Sequence, residues 1–304
     1  MSAKFFRPDA GLHSTLESIL ENTWTAFPQL AHSQIAITWI AYDPPYRMNT
    51  GGALSAEEFW QHQPRGASYR GVELMEPAGM VTLFYLVAMH VWLEQGMVPP
   101  SAEIERALTD MIDRNSDDAT SYIIDVLSGT TSGPELPPGP TETWRHQRNI
   151  VNRYFQQLGW PELRAVNMNQ KTWCDQPYGR ERDFLGDAFE NRNLLSTEAT
   201  ARLLHSIIGG VSVSGARSQE MMGLMEETEA SLPAAKIWSK TAFTYPNRHS
   251  AAYVEAGASH PYQLVVFTES KEIASAQKIE GSNEAIVSFI SNKIYEASQK
   301  AFLS

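Results

Sequence analysis

The chain has 304 residues, enough to bury a substantial core in one large domain or two modest ones. Hydrophobic residues make up 42% and charged residues 19%, the balance of a soluble globular protein rather than a disordered one. A net charge of −11 argues against nucleic acid as the main partner, because binding phosphates needs clustered Lys and Arg.

Met1 to Asp9 contains no apolar signal core and runs into helix-like sequence from Leu12 to Glu21. A secretory leader is not expected there, and the reading is a cytoplasmic protein. Residues 1–30 are read as an N-terminal helical extension and 31–304 as one domain. Ile35 to Tyr42 is rich in β-branched and aromatic residues and is predicted as a strand stopped by Pro44 and Pro45. Pro77 to Gln95 is predicted as a helix ended by Gly96; it is apolar on nearly every side, which marks a central helix. Its apolar run from Met80 to Leu93 contains Thr82 and His90 and is too short to span a bilayer, so no membrane association is expected.

Helices are predicted over Ser101 to Arg114, Ala119 to Leu127 and Trp144 to Leu158, with a Pro- and Gly-rich loop from Gly129 to Pro140. Trp160 to Asn193 is irregular and polar. Ser196 to Ile208 and Ser218 to Glu229 are again helical. The period then changes: Ala235 to Phe243, Ser250 to Ala256 and Gln263 to Thr268 read as three strands, and Ser282 to Leu303 as a final helix. The order implies an α+β fold, with an antiparallel sheet built from both chain ends, an inserted helical lobe, and a cleft between the two.

Single residues offer little metal chemistry. Cys174 is the only cysteine, which rules out an intrachain disulfide and a cysteine zinc site. His32, His62, His90, His205 and His249 lack metal-ligand spacing, and neither metal nor cofactor is expected.

Three short segments carry more. Asn115-Ser116-Asp117-Asp118-Ala119-Thr120 opens a helix; Ser239-Lys240-Thr241-Ala242 lies in a strand; and Pro77-Ala78-Gly79-Met80-Val81-Thr82-Leu83 opens the central helix. In this order they resemble the S-D-N, K-T-G and S-x-x-K motifs of class A β-lactamases and penicillin-recognising serine hydrolases. Asn191 to His205 and Asn247 to Val254 add flanking similarity, and the resemblance covers roughly residues 30 to 300. It implies a serine β-lactamase-like fold.

The resemblance also implies that Gly79 stands at the nucleophile position and Thr82 at the lysine position. Gly79 has no side chain with which to form an acyl-enzyme, and Thr82 is no general base near neutral pH. Asp118 replaces the motif's asparagine and Ala242 its last glycine. Glu181 and Glu190 are the candidates for a water-activating loop glutamate. Gly79 and Ser116 stand closer together in sequence than the family pattern, and Ser116 and Lys240 farther apart, so a trimmed lobe and an enlarged loop around Asn167 to Asn193 are expected.

Carried over, Ser116 and Lys240 form a Ser–Lys pair able to support nucleophilic catalysis. The alternative is that Ser116 caps a helix and Lys240 neutralises Asp118. Asp118, Thr241 and Arg248 are the candidate ligand-binding residues, with Thr241 and Arg248 joining Lys240 to bind a carboxylate. Three functions follow: a non-hydrolytic family member binding a small carboxylate-bearing ligand; a serine hydrolase of amide, ester or β-lactam bonds using Ser116 and Lys240; or a protein that only binds a partner protein.

Overall fold

A computed structural model describes residues 4–43, 48–49, 51–174, 176–228, 232–233, 235–244, 247–256, 260–269 and 276–300, with side chains of the last helix described over residues 284–299. The proline stop at 44–45 lies outside these. In chain order the elements are β1 (Arg7–Pro8), α1 (Ala10–Ala26), β2 (Ile35–Ala41), α2 (Ala56–Gln61), β3 (Arg65–Tyr69), α3 (Thr82–Glu94), α4 (Ala102–Asp113), α5 (Asp117–Ser128), α6 (Pro138–Arg148), α7 (Ile150–Gln157), α8 (Arg180–Leu185), α9 (Thr197–Ile208), α10 (Gly215–Met225), β4 (Ala235–Thr244), β5 (Asn247–Ala256), β6 (Tyr262–Thr268) and α11 (Ala276–Lys300). The strands form one six-stranded sheet in the order β1-β3-β2-β6-β5-β4. Its pairings are antiparallel except the short β1–β3 pairing. Strands from both ends of the chain thus meet at the β2–β6 junction, and the helical lobe is inserted between them.

Strand periodicity sorts the side chains into two cores. Ala36, Ile40, Val265, Phe267, Ala251 and Trp238 face the helical lobe and pack with α3. Ile35, Ile37, Trp39, Leu264, Val266 and Val254 face the other way, against Leu16, Ile19 and Leu20 of α1 and Ile286, Ile290 and Ile294 of α11. Both faces of the sheet are covered, which is why β2 and β6 are buried along their whole length instead of alternating. α1, read from sequence as an extension, is one of the two helices that cover the outer face.

α3 is the axis of the lobe. Every residue from Thr82 to Trp92 is buried, and each large apolar side chain buried here contributes about 1.5–3 kcal/mol. The predicted helix begins instead with a 3-10 turn over Ala78–Val81. The predicted helix over 144–158 is two, α6 and α7, meeting at Asn149. Asn167 pairs with Leu194 and Leu195 with Met75, closing the neck of a long excursion that contains the short helix α8. Asparagines lock that neck. Asn152 donates to Asn149 and Asn167, Asn169 donates to Asn149 and Asn191, and the Asn193 side-chain oxygen accepts from the backbone of Asn169 and Gln170.

Three histidines are buried in this framework. His205 stacks on Tyr42 and contacts its hydroxyl, His249 bonds the Glu76 carbonyl, and His90 lies within α3. Burial pushes His205 down to about 3 and His90 and His249 down to about 4. All three therefore fold as neutral rings, while the unfolded chain takes up protons near pH 6.5. Below that pH the unfolded state binds more protons, so stability present above about 6.5 is lost as pH falls toward 4. The slope is up to about 1.4 kcal/mol per pH unit for each ring. Thermal melts followed by circular dichroism are expected to show a falling midpoint between pH 6.5 and 4. A midpoint flat across that window contradicts the buried neutral histidines.

Candidate active site

The three motif segments converge. The turn before α3 holds Ala78 at φ +48, a left-handed conformation that alanine adopts only under constraint. His249 supplies part of that constraint. Its Nδ1 accepts from the Thr268 backbone N–H, so its Nε2 carries the proton and donates to the Glu76 carbonyl at 2.8 Å. Next comes Gly79. A Cβ placed on it would lie 3.2 Å from Asn115 Oδ1 and 3.6 Å from the Cβ of Ala242. The position faces the α4–α5 turn and β4 together. Thr82, one turn on, is 1% exposed and donates its hydroxyl back to the Gly79 carbonyl at 2.7 Å.

Lys240 points from β4 into the lobe and is 1% exposed. Its ammonium has three donors, and all three are taken: Met111 O at 3.2 Å, Ile112 O at 2.7 Å and Asn115 Oδ1 at 2.6 Å. The two carbonyls belong to the last turn of α4, where a helix leaves acceptors unpaired and its dipole favours a cation. Burial drives the lysine down to about 7, opposed by Asp113 nearby.

The expected Ser116–Lys240 pair is not formed. Ser116 has extended backbone and accepts from Ala119 N at 3.2 Å as the N-cap of α5. The seat facing Gly79 and Lys240 belongs to Asn115, one residue earlier, at φ +52. Asparagine tolerates that left-handed geometry, and a capping serine requires the extended one, so the two residues divide the turn between them. The sequence signal was Asn-Ser-Asp-Asp at a helix start, where the serine is the natural cap.

The other expected ligand residues lie apart. Asp118 is exposed in the first turn of α5 and is not an ion-pair partner of Lys240. Thr241 alternates to the opposite face of β4 and lines a groove beside α11 with Ser239 and Ser250. Arg248, cross-strand from Phe243, covers that ring and pairs with Glu284 at 3.1 Å. Neither residue joins Lys240. Of the two loop glutamates, Glu190 is exposed and accepts from Ala188 N within its own turn. Glu181 is fully buried and paired with Arg148. Trp144 stacks on Arg148, Trp160 on Arg202, and Trp173 lies under Lys171. Sequence reasoning missed Asn115, and also Asp117, whose carboxylate accepts from the Cys174 thiol at 3.2 Å.

A family model described as the beta-lactamase enzyme family matches residues 104–298. Among solved structures, a β-lactamase from Chitinophaga pinensis is 14% identical, with a TM-score of 0.62 over 94% of this chain and 99% of that one. A β-lactamase from Sphaerobacter thermophilus is 13% identical, with a TM-score of 0.60 over 93% and 97%. A mutant of PBP-A in an acyl-enzyme complex with penicillin G is 15% identical, with a TM-score of 0.61 over 99% and 100%. No curated protein sequence matches the chain.

The contact between Gly79 and Asn115 yields a test. Asn115 Oδ1 cannot easily retreat, because Lys240 holds it at 2.6 Å. Gly79→Ser is expected to cost about 1–3 kcal/mol by overpacking. Asn115→Ser in the same chain should recover part of that, giving a coupling energy above about 0.5 kcal/mol in a urea double-mutant cycle. Strict additivity would place the two residues out of contact.

Proposed function

Because the chain belongs to the beta-lactamase enzyme family, we propose that it is a non-hydrolytic member that keeps the family's framework for binding. The observation that carries this reading is Gly79. The residue facing the convergence of the α4–α5 turn and β4 has no side chain, so it cannot attack a carbonyl or hold an acyl group. Thr82 supplies no base in place of a lysine, and its hydroxyl is engaged with the backbone. The hydrolase reading has no geometric support, since Ser116 caps α5 and Lys240 binds Asn115.

Between a small carboxylate and a protein partner, the geometry favours the protein. A carboxylate needs donors that can turn toward it, and the three of Lys240 are spent inside the fold. Arg248 is committed to Glu284. The net charge of −11 suits a partner with a neutral or basic face.

Intact-mass spectrometry after incubation with a reporter penicillin tests the reading. The expected spectrum is the unmodified chain. A stoichiometric adduct on any serine would overturn the non-hydrolytic assignment. In the same preparation, titration of small carboxylates is expected to give dissociation constants no tighter than about millimolar. Micromolar binding abolished by Lys240→Ala restores the carboxylate reading.

A further inference from the structure

On the outer face of the sheet, α11 packs through Ile286, Ile290 and Ile294, and its main strand contacts fall on β5 and β6. β4 is the edge strand beyond them. Residues two apart on a strand share a face, so Ile237, Ser239 and Thr241 all point outward. Cross-strand pairing sets Val254, Ala252 and Ser250 of β5 directly beside them. Four of these six side chains are small, and they do not fill the space between the strands and the flank of α11. A cavity of about 230 Å³ remains there, walled on the helix side by Val287, Ser288, Ser291 and Asn292. For scale, about 150 Å³ is enough to hold a benzene ring. Lys240 alternates to the other face of β4, so this space is separate from the site around Gly79.

The lining combines an apolar floor with one charge. Ile237, Val254 and Leu264 supply the floor, and Glu227 is the one ionised side chain, since no Lys, Arg or His lines the cavity. Glu227 is half-buried and held from two directions. Its backbone N–H donates to the Ile237 carbonyl at 2.9 Å, and the Ser239 hydroxyl donates to its Oε1 at 2.6 Å. Among the described residues it forms no ion pair, and its Oε2 accepts no hydrogen bond. The side chains of Thr241, Ser250, Ser288, Ser291 and Asn292 likewise make no hydrogen bond to another described residue. An anchored, unpaired carboxylate and several uncommitted oxygens therefore border an apolar surface.

We propose that the groove between β4 and α11 is a binding site for a small primary amine with an apolar body. The ammonium pairs with Glu227, and the body lies over Ile237, Val254 and Leu264. An ammonium brings three donors and no acceptor. Glu227 takes one, and the hydroxyl oxygens and the Asn292 amide oxygen are the acceptors for the others. Hydrogen bonds to an ionised partner are roughly twice as strong as neutral ones, so the charged end sets the orientation. The same carboxylate repels an anionic ligand, and the net charge of −11 draws cations to the surface. The size of the cavity limits the body to about one ring. This inference does not depend on whether the site around Gly79 hydrolyses anything.

Two-dimensional amide NMR of the full chain, titrated with phenethylamine, is the test, with phenethyl alcohol as the neutral counterpart. The amine is expected to shift amides of β4, β5 and residues 284–299 of α11, with a dissociation constant of about 1 mM or tighter. The alcohol is expected to bind at least about tenfold more weakly, and Glu227→Gln to weaken the amine by at least about tenfold. Ser291→Leu fills the groove from the helix side and is expected to abolish the shifts. Ser288→Leu, one turn earlier on the same wall, provides a second block. No shift at these elements by about 10 mM amine would overturn the proposal. So would amine binding that ignores Glu227→Gln, equal affinity for the alcohol, or shifts that persist in a folded leucine variant. The groove and Gly79 lie on opposite faces of the sheet, so this result and the penicillin spectrum stand or fall separately.

Discussion

Lys240 joins the sheet to the helical lobe through three hydrogen bonds from one buried ammonium. A cation taken this far from water is tolerable only when every donor is matched. The match fixes where α4 ends, because two acceptors are its last-turn carbonyls. It also fixes the turn that follows, because the third is Asn115 in a left-handed conformation. That turn sets the start of α5 at Ser116, and α5 carries Asp117 and Asp125 to the loop. The junction of α4, α5 and β4 is therefore built outward from one side chain, and its geometry depends on keeping that side chain in place.

The donors of Lys240 are consumed by the fold, and the neighbouring backbone is arranged around it. Gly79 allows Asn115 to approach within a distance that any Cβ would contest. Ala78 nevertheless keeps its left-handed turn, steadied by the His249 bond to Glu76. Strained backbone of this kind, which costs on the order of 1–3 kcal/mol, usually persists where a site requires it. Here the strained turn sits beside Gly79, a residue with no side chain.

Much of this was legible in the sequence because periodicity and order survive where chemistry does not. The all-apolar run of α3, the three late strands and the final helix are set by local patterns that tertiary packing reinforces. β3 was not legible: Arg65-Gly-Ala-Ser-Tyr is short and has no alternation, and it becomes a strand only because β2 pairs with it. The site was half legible. Gly79, Thr82 and Lys240 lie together where α3 begins against β4, since each is carried by an element that the pattern identifies. Asn115 was missed because register at a helix start is decided by φ and by a cap, and neither is written in a tripeptide. Thr241 and Arg248 do not join Lys240, because their strands alternate them onto the α11 face. The buried role of Glu181 could not be read at all, since Arg148 lies 33 residues away.

The pairing of Glu181 with Arg148 has one further consequence. Both side chains are 0% exposed and they carry opposite charges, so changing one alone strands the other as an unpaired charge away from water, which costs more than losing the two together. The positions lie 33 residues apart in sequence. The fold nevertheless binds them into a single unit of variation: a chain that replaces the arginine must replace the glutamate with it.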